Sequence, residues 1–153
     1  MAFVDRILLR AEEAGPSHEV PRALAVAGLG LQGDRYFNGE GTFFEDDKPG
    51  QALTLIEAEA LEGLLADTGI ELSAEETGRN LVTRGIGLNA LVGRRFRIGD
   101  VECEGNRLCD PCATLQKRTQ PGVLRGLADR GGLRADIVRG GELVTGAQIV
   151  VVD

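Results

Sequence analysis

At 153 residues the chain is long enough for one domain, residues 1–153, with a proper core, and no stretch approaches the roughly 20 apolar residues needed to cross a bilayer. Its 24 acidic and 17 basic side chains give a net charge of −7, a poor match to the basic footprint that general nucleic-acid binding requires. Three cysteines behind an N-terminus with no signal-peptide pattern point to a cytoplasmic protein rather than a disulfide scaffold.

The charge is unevenly spread. Residues 1–76 carry 16 acidic and 5 basic side chains, whereas residues 77–153 carry 8 and 12. All but Lys48 and Lys117 of the basic residues are arginines, whose planar forks match phosphate or carboxylate groups. Arginines on solvated faces would give the same count.

Residues 3–10 alternate loosely and predict an opening strand. A polar loop follows, with the only histidine, His18, between Pro16 and Pro21. The apolar run over residues 20–34 breaks at Gly28, Gly30 and Gly33. That spacing brings a dinucleotide-binding turn to mind, but such a turn needs a helix after it and an acidic residue about 20 positions on. Here the glycines lead into a stretch with too many helix breakers, so the dinucleotide reading fails. What the stretch from Gly30 to Phe43 predicts instead is a constrained loop presenting Asp34 and Arg35 from a fixed position. An ordinary Asx turn, with Arg35 paired to a surface acid, is the plainer alternative.

From Gln51 the pattern turns helical. Thr54 and Glu57 have capping-box spacing ahead of Ala58, Leu61, Leu64 and Leu65, and Gly69 suits the C-terminal cap. Glu57, Glu59 and Glu62 fall on the solvated side of this helix. Ser73 and Glu76 repeat the capping-box spacing. Residues 80–86 and 95–104 alternate as strands, separated by glycines, which suggests a barrel or a strongly bent sheet. Residues 121–132 fit a helix with Pro121 in its first turn and Gly131 or Gly132 ending it. The chain closes with two strands joined through Gly140 and Gly141. The fold class is mainly β (α+β), with a few helices.

Between the strand and the last helices lies RLCDPCATL, Arg107 to Leu115, with Cys109 and Cys112 flanking Asp110 and Pro111. A strand-to-helix turn offers a thiol free backbone amides and the positive end of a helix, and Arg107 stands upstream. Three chemistries are open. Zinc would need a fourth ligand beyond Cys103, Cys109 and Cys112, and only His18 is available, far away in sequence. Alternation gives Cys103 an inward, structural role. A dithiol redox pair fits the spacing but lacks the surrounding βαβ pattern. A single thiolate binding a soft metal or carrying sulfur is equally permitted.

Five stretches together resemble the MOSC domain family: residues 30–43, 53–64, 78–105, 107–115 and 130–150, in this order over nearly the whole chain. That family takes its name from the C-terminal domain of molybdenum cofactor sulfurases. The resemblance implies a distorted β-barrel with peripheral helices. It implies a molybdenum-pterin cofactor whose metal is held by one cysteine, matched here by Cys112 before ATL, with Cys109 second. It implies further contacts from Asp34 and Arg35 in the G-D-R segment and from Arg79 and Asn80 in GRN. Members with an R-P-N segment place arginine where this chain has Gly78. The function implied is an oxidoreductase that reduces N-hydroxylated compounds with electrons from a partner protein. The sulfurase-type alternative is a sulfur carrier holding a persulfide on Cys112, supplied by a cysteine desulfurase. A domain acting only as a binding module is the third reading. Pyridoxal phosphate, attached to the family through full-length sulfurases, finds no motif context at Lys48 or Lys117 for a Schiff base.

Overall fold

The computed structural model describes residues 1–12, 15–39, 45 and 48–152. Residues 40–43 of the predicted presenting loop lie outside these.

The chain is mostly β with a few short helices. Strand β1 (Phe3–Leu9) pairs with β2 (His18–Val20), so His18 lies on a strand opposite Leu9 rather than in a loop. Pro21, which has no N–H to give a ladder, separates β2 from β3 (Arg22–Val26), and the chain changes sheets there. The apolar run with three glycines is a hairpin, β3 turning into β4 (Gly30–Leu31).

Next comes β5 (Leu53–Glu57), and only then helix α1 (Ala58–Thr68). The sequence placed Thr54 and Glu57 in a capping box. The structure corrects this: Thr54 sits inside β5, and Glu57 precedes the helix without a side-chain cap bond. Run together, a buried strand and the helix it feeds are hard to separate by apolar spacing alone. Gly69 does cap α1 in a left-handed conformation. Helix α2 (Ala74–Thr77) opens on the capping box of Ser73 and Glu76 that the sequence predicts.

Strand β6 (Leu81–Arg84) follows and pairs parallel with β5, with α1 and α2 forming the crossover between them. A 3-10 turn at Leu88–Leu91 leads to β7 (Arg95–Ile98), β8 (Val101–Leu108), α3 (Ala113–Arg118) and α4 (Val123–Gly126). The helix expected over residues 121–132 is therefore only four residues long, and Gly131 and Gly132 do not end it. Three strands, not two, close the chain: β9 (Leu133–Arg139), β10 (Gly141–Val144) and β11 (Ile149–Val151). Gly140 separates β9 from β10, which begins at Gly141 and belongs to the other sheet.

Eight strands form one mixed sheet in the order β11-β7-β8-β9-β5-β6-β1-β2, and β10-β3-β4 form a second. The large sheet curls until the start of β1 meets the approach to β11. Phe3 makes an antiparallel bridge with Gln148, and Val4 N donates to Ala147 O at 3.0 Å. Register shifts in β1 between Val4 and Arg6, and in β8 between Gly105 and Arg107, help bend it.

Alternation decides what each face does. Leu53 and Leu55 of β5, Phe96 and Ile98 of β7, Val101 and Cys103 of β8, and Leu133, Ala135 and Ile137 of β9 enter one interior cluster. Side chains this large, withdrawn from water, contribute about 1.5–3 kcal/mol each. On the opposite face, Leu8, Ile56 and Val82 pack beneath Ala58, Ala60 and Ala74 of the crossover helices. A third cluster joins α1, α3 and α4 through Leu64, Leu115, Val123 and Leu127, with Cys112 at its margin. Among the described residues, no helix is long and apolar enough to cross a membrane.

Candidate functional site

The outer face of β5, β6 and β9 is not fully covered by the helices. Where they stop, a cleft of about 60 Å³ remains, lined by residues from six separate parts of the chain. Asp34, Arg35, Arg79, Asn80, Cys109 and Cys112 all reach it, although up to 78 residues separate them. Arg107 does not line it.

Cys112 stands at the N-cap of α3 in extended conformation, and its side chain makes no cap hydrogen bond. It is half-buried, with its carbonyl accepting from Gln116 N at 3.1 Å. Cys109 is buried and held by its backbone at both polar atoms: its N donates to Gly132 O at 2.8 Å, and its carbonyl accepts from Arg79. All three cysteines are free thiols. Cys103 faces the sheet interior as expected, and burial pushes its thiol up to about 12.

The turn that carries Cys109 and Pro111 rests on two glycines. A Cβ at Gly131 would lie 2.6 Å from both Cys109 O and Pro111 Cδ. One at Gly132, whose φ is +119°, would collide with Leu55 O. These are the glycines the sequence assigned to a helix end. Their work is instead to let the cysteine turn approach β5 at backbone distance.

Arg79 follows α2 and braces the same turn. Its Nε donates to Gly131 O at 3.0 Å, Nη1 to Thr77 O at 3.1 Å and Nη2 to Cys109 O at 3.1 Å. Three of its five N–H groups are therefore committed to the wall of the cleft. Asn80 is a clamp between strands. Its Oδ1 accepts from Thr54 N and Thr54 Oγ1, both at 3.1 Å, and its Nδ2 donates to Leu8 O at 3.4 Å.

Asp34 and Arg35 supply a second wall. Asp34 Oδ2 accepts from Tyr36 N at 3.2 Å, the Asx turn weighed from sequence, and Oδ1 accepts from Arg10 N at 3.1 Å. Among the described residues, Arg35 Nη1 lies 3.7 Å from Asp34 Oδ1, with both side chains buried. The Arg35 guanidinium also lies 5.0 Å from the Tyr36 ring centroid. Gly78 brings two cations together, since a Cβ there would meet Arg10 Nη1 at 3.4 Å and Arg35 Nη2 at 3.5 Å.

Arg107 is turned elsewhere. Its Nη1 donates to Pro49 O at 2.8 Å and to Asn106 Oδ1 at 2.9 Å, anchoring the segment before β5. The sequence missed Arg10, Arg118 and Arg134, which also line the cleft. Arg118 could have been found from helical spacing, four residues after Thr114 on the same face of α3. Five arginines then face two acids, Asp34 and Glu76, in a protein of net charge −7. The acids are already engaged, Asp34 as above and Glu76 by Ser73 N and Ser73 Oγ, each at 3.0 Å. Beyond Arg10, Glu76 and Arg118 the cleft adjoins a wider cavity of about 410 Å³, bordered by Pro16, Ser17 and Glu75. Among the described residues, no three His, Cys, Asp or Glu side chains gather as a metal-binding group.

A curled mixed sheet with a crossover-helix cap defines a mostly β protein with a few helices, and a half-buried cysteine lies on the wall of its arginine-lined cleft. The family model of the MOSC domain matches residues 42–152, and the chain belongs to the MOSC domain family, which is associated with molybdenum cofactor binding. Among solved structures it is similar to the YuaD protein from Bacillus subtilis, with a TM-score of 0.81 and 18% identity over 99% of this chain and 96% of that one. It is also similar to YiiM from Geobacillus stearothermophilus, with a TM-score of 0.73 and 15% identity over 100% of this chain and 76% of that one. YiiM from Escherichia coli gives 0.71 and 17% over 100% and 70%. At these identities the likeness is one of fold. A search of curated proteins finds no match.

Proposed function

We propose that the protein binds a molybdenum-pterin cofactor with the Cys112 thiolate as metal ligand. The observation carrying this reading is the half-buried Cys112, free of any cap bond, on the wall of a cleft lined by five arginines. The donor set fits the group. A thiolate suits the metal, and guanidinium groups suit anionic substituents. The 60 Å³ cleft is too small for a pterin, but the adjoining cavity of about 410 Å³ is within the usual range for small ligands. Arg35 and the uncommitted N–H groups of Arg79 are the ligand-facing donors of the predicted set, while Asp34 and Asn80 hold them in place. Cys109 supports the turn from below. Such a cofactor supplies a two-electron centre able to remove oxygen from N-hydroxylated compounds. A cytoplasmic redox protein would deliver the electrons.

Metal and pterin content measured on protein made in a cofactor-competent host tests this reading. Wild type should carry molybdenum and Cys112→Ser should lack it. No molybdenum in the wild type, where a known binder loads, ends the proposal.

The sulfur-carrier reading draws on the same thiol, accessible to a desulfurase partner because it is only half-buried. Mass spectrometry after incubation with a cysteine desulfurase should then show one added sulfur, absent in Cys112→Ser. A serine variant that keeps the adduct removes this reading.

A further inference from the structure

The place of Arg134 in the sheet sets it apart from the other arginines of the cleft. Leu133, Ala135 and Ile137 of β9 point into the interior, so Arg134 and Asp136 belong to the opposite face. Arg134 lies in register with Thr54 of β5 on one side and Arg107 of β8 on the other. Directly opposed residues project to the same face, and Thr54 and Arg134 both line the cleft.

Among the described residues, the two acids of the cleft and the next acid along β9 are engaged elsewhere. Asp136, two residues on and on the same face, accepts from Gly50 N at 2.6 Å and from Asn106 Nδ2 at 3.5 Å. Of the acids of the cleft, Asp34 accepts from Arg10 N and Tyr36 N, and Glu76 accepts from Ser73 N. Among the described residues, the Arg134 side chain has no hydrogen bond or ion pair. A half-buried guanidinium with no partner, in a cleft where cations outnumber acids, is a fork held ready for an anion.

The geometry points to Arg134 as the anchor of an oxyanion seat beside Cys112, taking a phosphate either free or as the terminal group of an ester. The volume agrees with this. About 60 Å³ holds a few water molecules or one tetrahedral oxyanion, while the body of an ester would lie in the 410 Å³ cavity past Arg10 and Arg118. The seat is a property of the cleft, whether or not a molybdenum cofactor occupies it. Metal content decides the cofactor, and phosphate binding decides the seat.

The test uses the full chain and neutral iodoacetamide, with alkylation at Cys112 followed by mass spectrometry. Inorganic phosphate should slow the reaction saturably in wild type. Arg134→Gln should weaken that protection at least tenfold, Arg134→Lys should weaken it less, and Arg97→Gln, on the exposed face of β7, should leave it unchanged. Unchanged thermal unfolding of the Arg134 variants would confirm that they are folded. Phenyl phosphate in place of phosphate separates the sources: tighter protection assigns the seat to esters, equal or weaker protection to the free anion. No saturable protection by either compound, or equal protection in wild type and Arg134→Gln, overturns the assignment.

Discussion

Arg79 Nη2 donates to the carbonyl of Cys109 at 3.1 Å, tying the segment between α2 and β6 to the turn that presents Cys112. The residues are 30 positions apart in sequence. The same guanidinium reaches Gly131 O, so one side chain joins three segments that each form part of the cleft. Arg79 thereby shapes the site by bracing its wall.

Removing that brace should loosen the cysteine turn before it unfolds the protein. Hydrogen bonds from a charged donor contribute about 1.5–3 kcal/mol each and are not additive. Arg79→Ala is expected to lose about 3 kcal/mol in denaturant unfolding, with Cys109, buried in the wild type, becoming open to alkylation. Lysine cannot reproduce a planar fork, so Arg79→Lys should recover less than half of the loss. Native-state alkylation resolved by mass spectrometry checks both.

Glycine substitutions should divide according to what lies beside them. Gly131→Ala drives a Cβ to 2.6 Å from Cys109 O and Pro111 Cδ, which are backbone or ring atoms with nowhere to go. It should cost about 2 kcal/mol or more. Gly63, in the middle of α1, meets only the end of Arg130, a flexible side chain that can swing aside. Gly63→Ala should raise stability by about 0.5 kcal/mol, as expected for a helix interior. Thermal unfolding of the two variants gives opposite signs if the contacts are as described.

Asn80 should be intolerant even of its isostere. In Asn80→Leu, the buried N–H and hydroxyl of Thr54 lose their shared acceptor, at a cost of about 2–4 kcal/mol. Asn80→Asp keeps that acceptor but sets a carboxylate oxygen against Leu8 O and buries a charge, so it should fall in the same range. An aspartate variant as stable as wild type at pH 7 would contradict the clamp.

Stability should fall on the alkaline side through Cys103. Burial raises its thiol from 9.0 to about 12. The unfolded chain therefore loses its proton from about pH 9 while the folded chain holds it. The stabilisation is complete below pH 9 and is lost as pH rises towards 12, at about 1.4 kcal/mol per pH unit. Cys103→Ala should be weaker than wild type at pH 7.5 but flatter between pH 9 and 11 in urea melts. On the acid side, the hydrogen bond from Arg6 holds the Glu75 carboxyl below its ordinary value. Its contribution is present above about pH 4.5 and lost as pH falls through the lower folded value. With the Glu75 side chain 41% exposed, solvent screening keeps this a fraction of a kcal/mol.

Several parts of the protein were legible from sequence because their signals are local. Alternation in residues 95–104 depends only on which face of a strand meets the core, and the strands β7 and β8 lie there. The Ser73–Glu76 box closes within four residues, and so it is found as predicted. Thr54 and Glu57 have the same spacing, yet Thr54 is bound to Asn80, 26 residues on, because a buried strand position outcompetes a local cap. The helix over residues 121–132 failed for a related reason: Gly131 and Gly132 serve a turn that precedes them by some 20 residues.

For the cysteine stretch the division is similar. RLCDPCATL by itself determined a strand, a turn and a helix start, with Cys112 at the junction, since these follow from backbone preferences of neighbouring residues. Which cations face that thiol was decided only by the tertiary structure. Arg107, five residues upstream, is drawn away to Pro49 O, whereas Arg10, just past the end of β1, and Arg134 of β9 are brought to the cleft from distant parts of the chain. Sequence proximity fixes where a side chain starts, but a long arginine reaches whichever partner the packed sheet places on its own face.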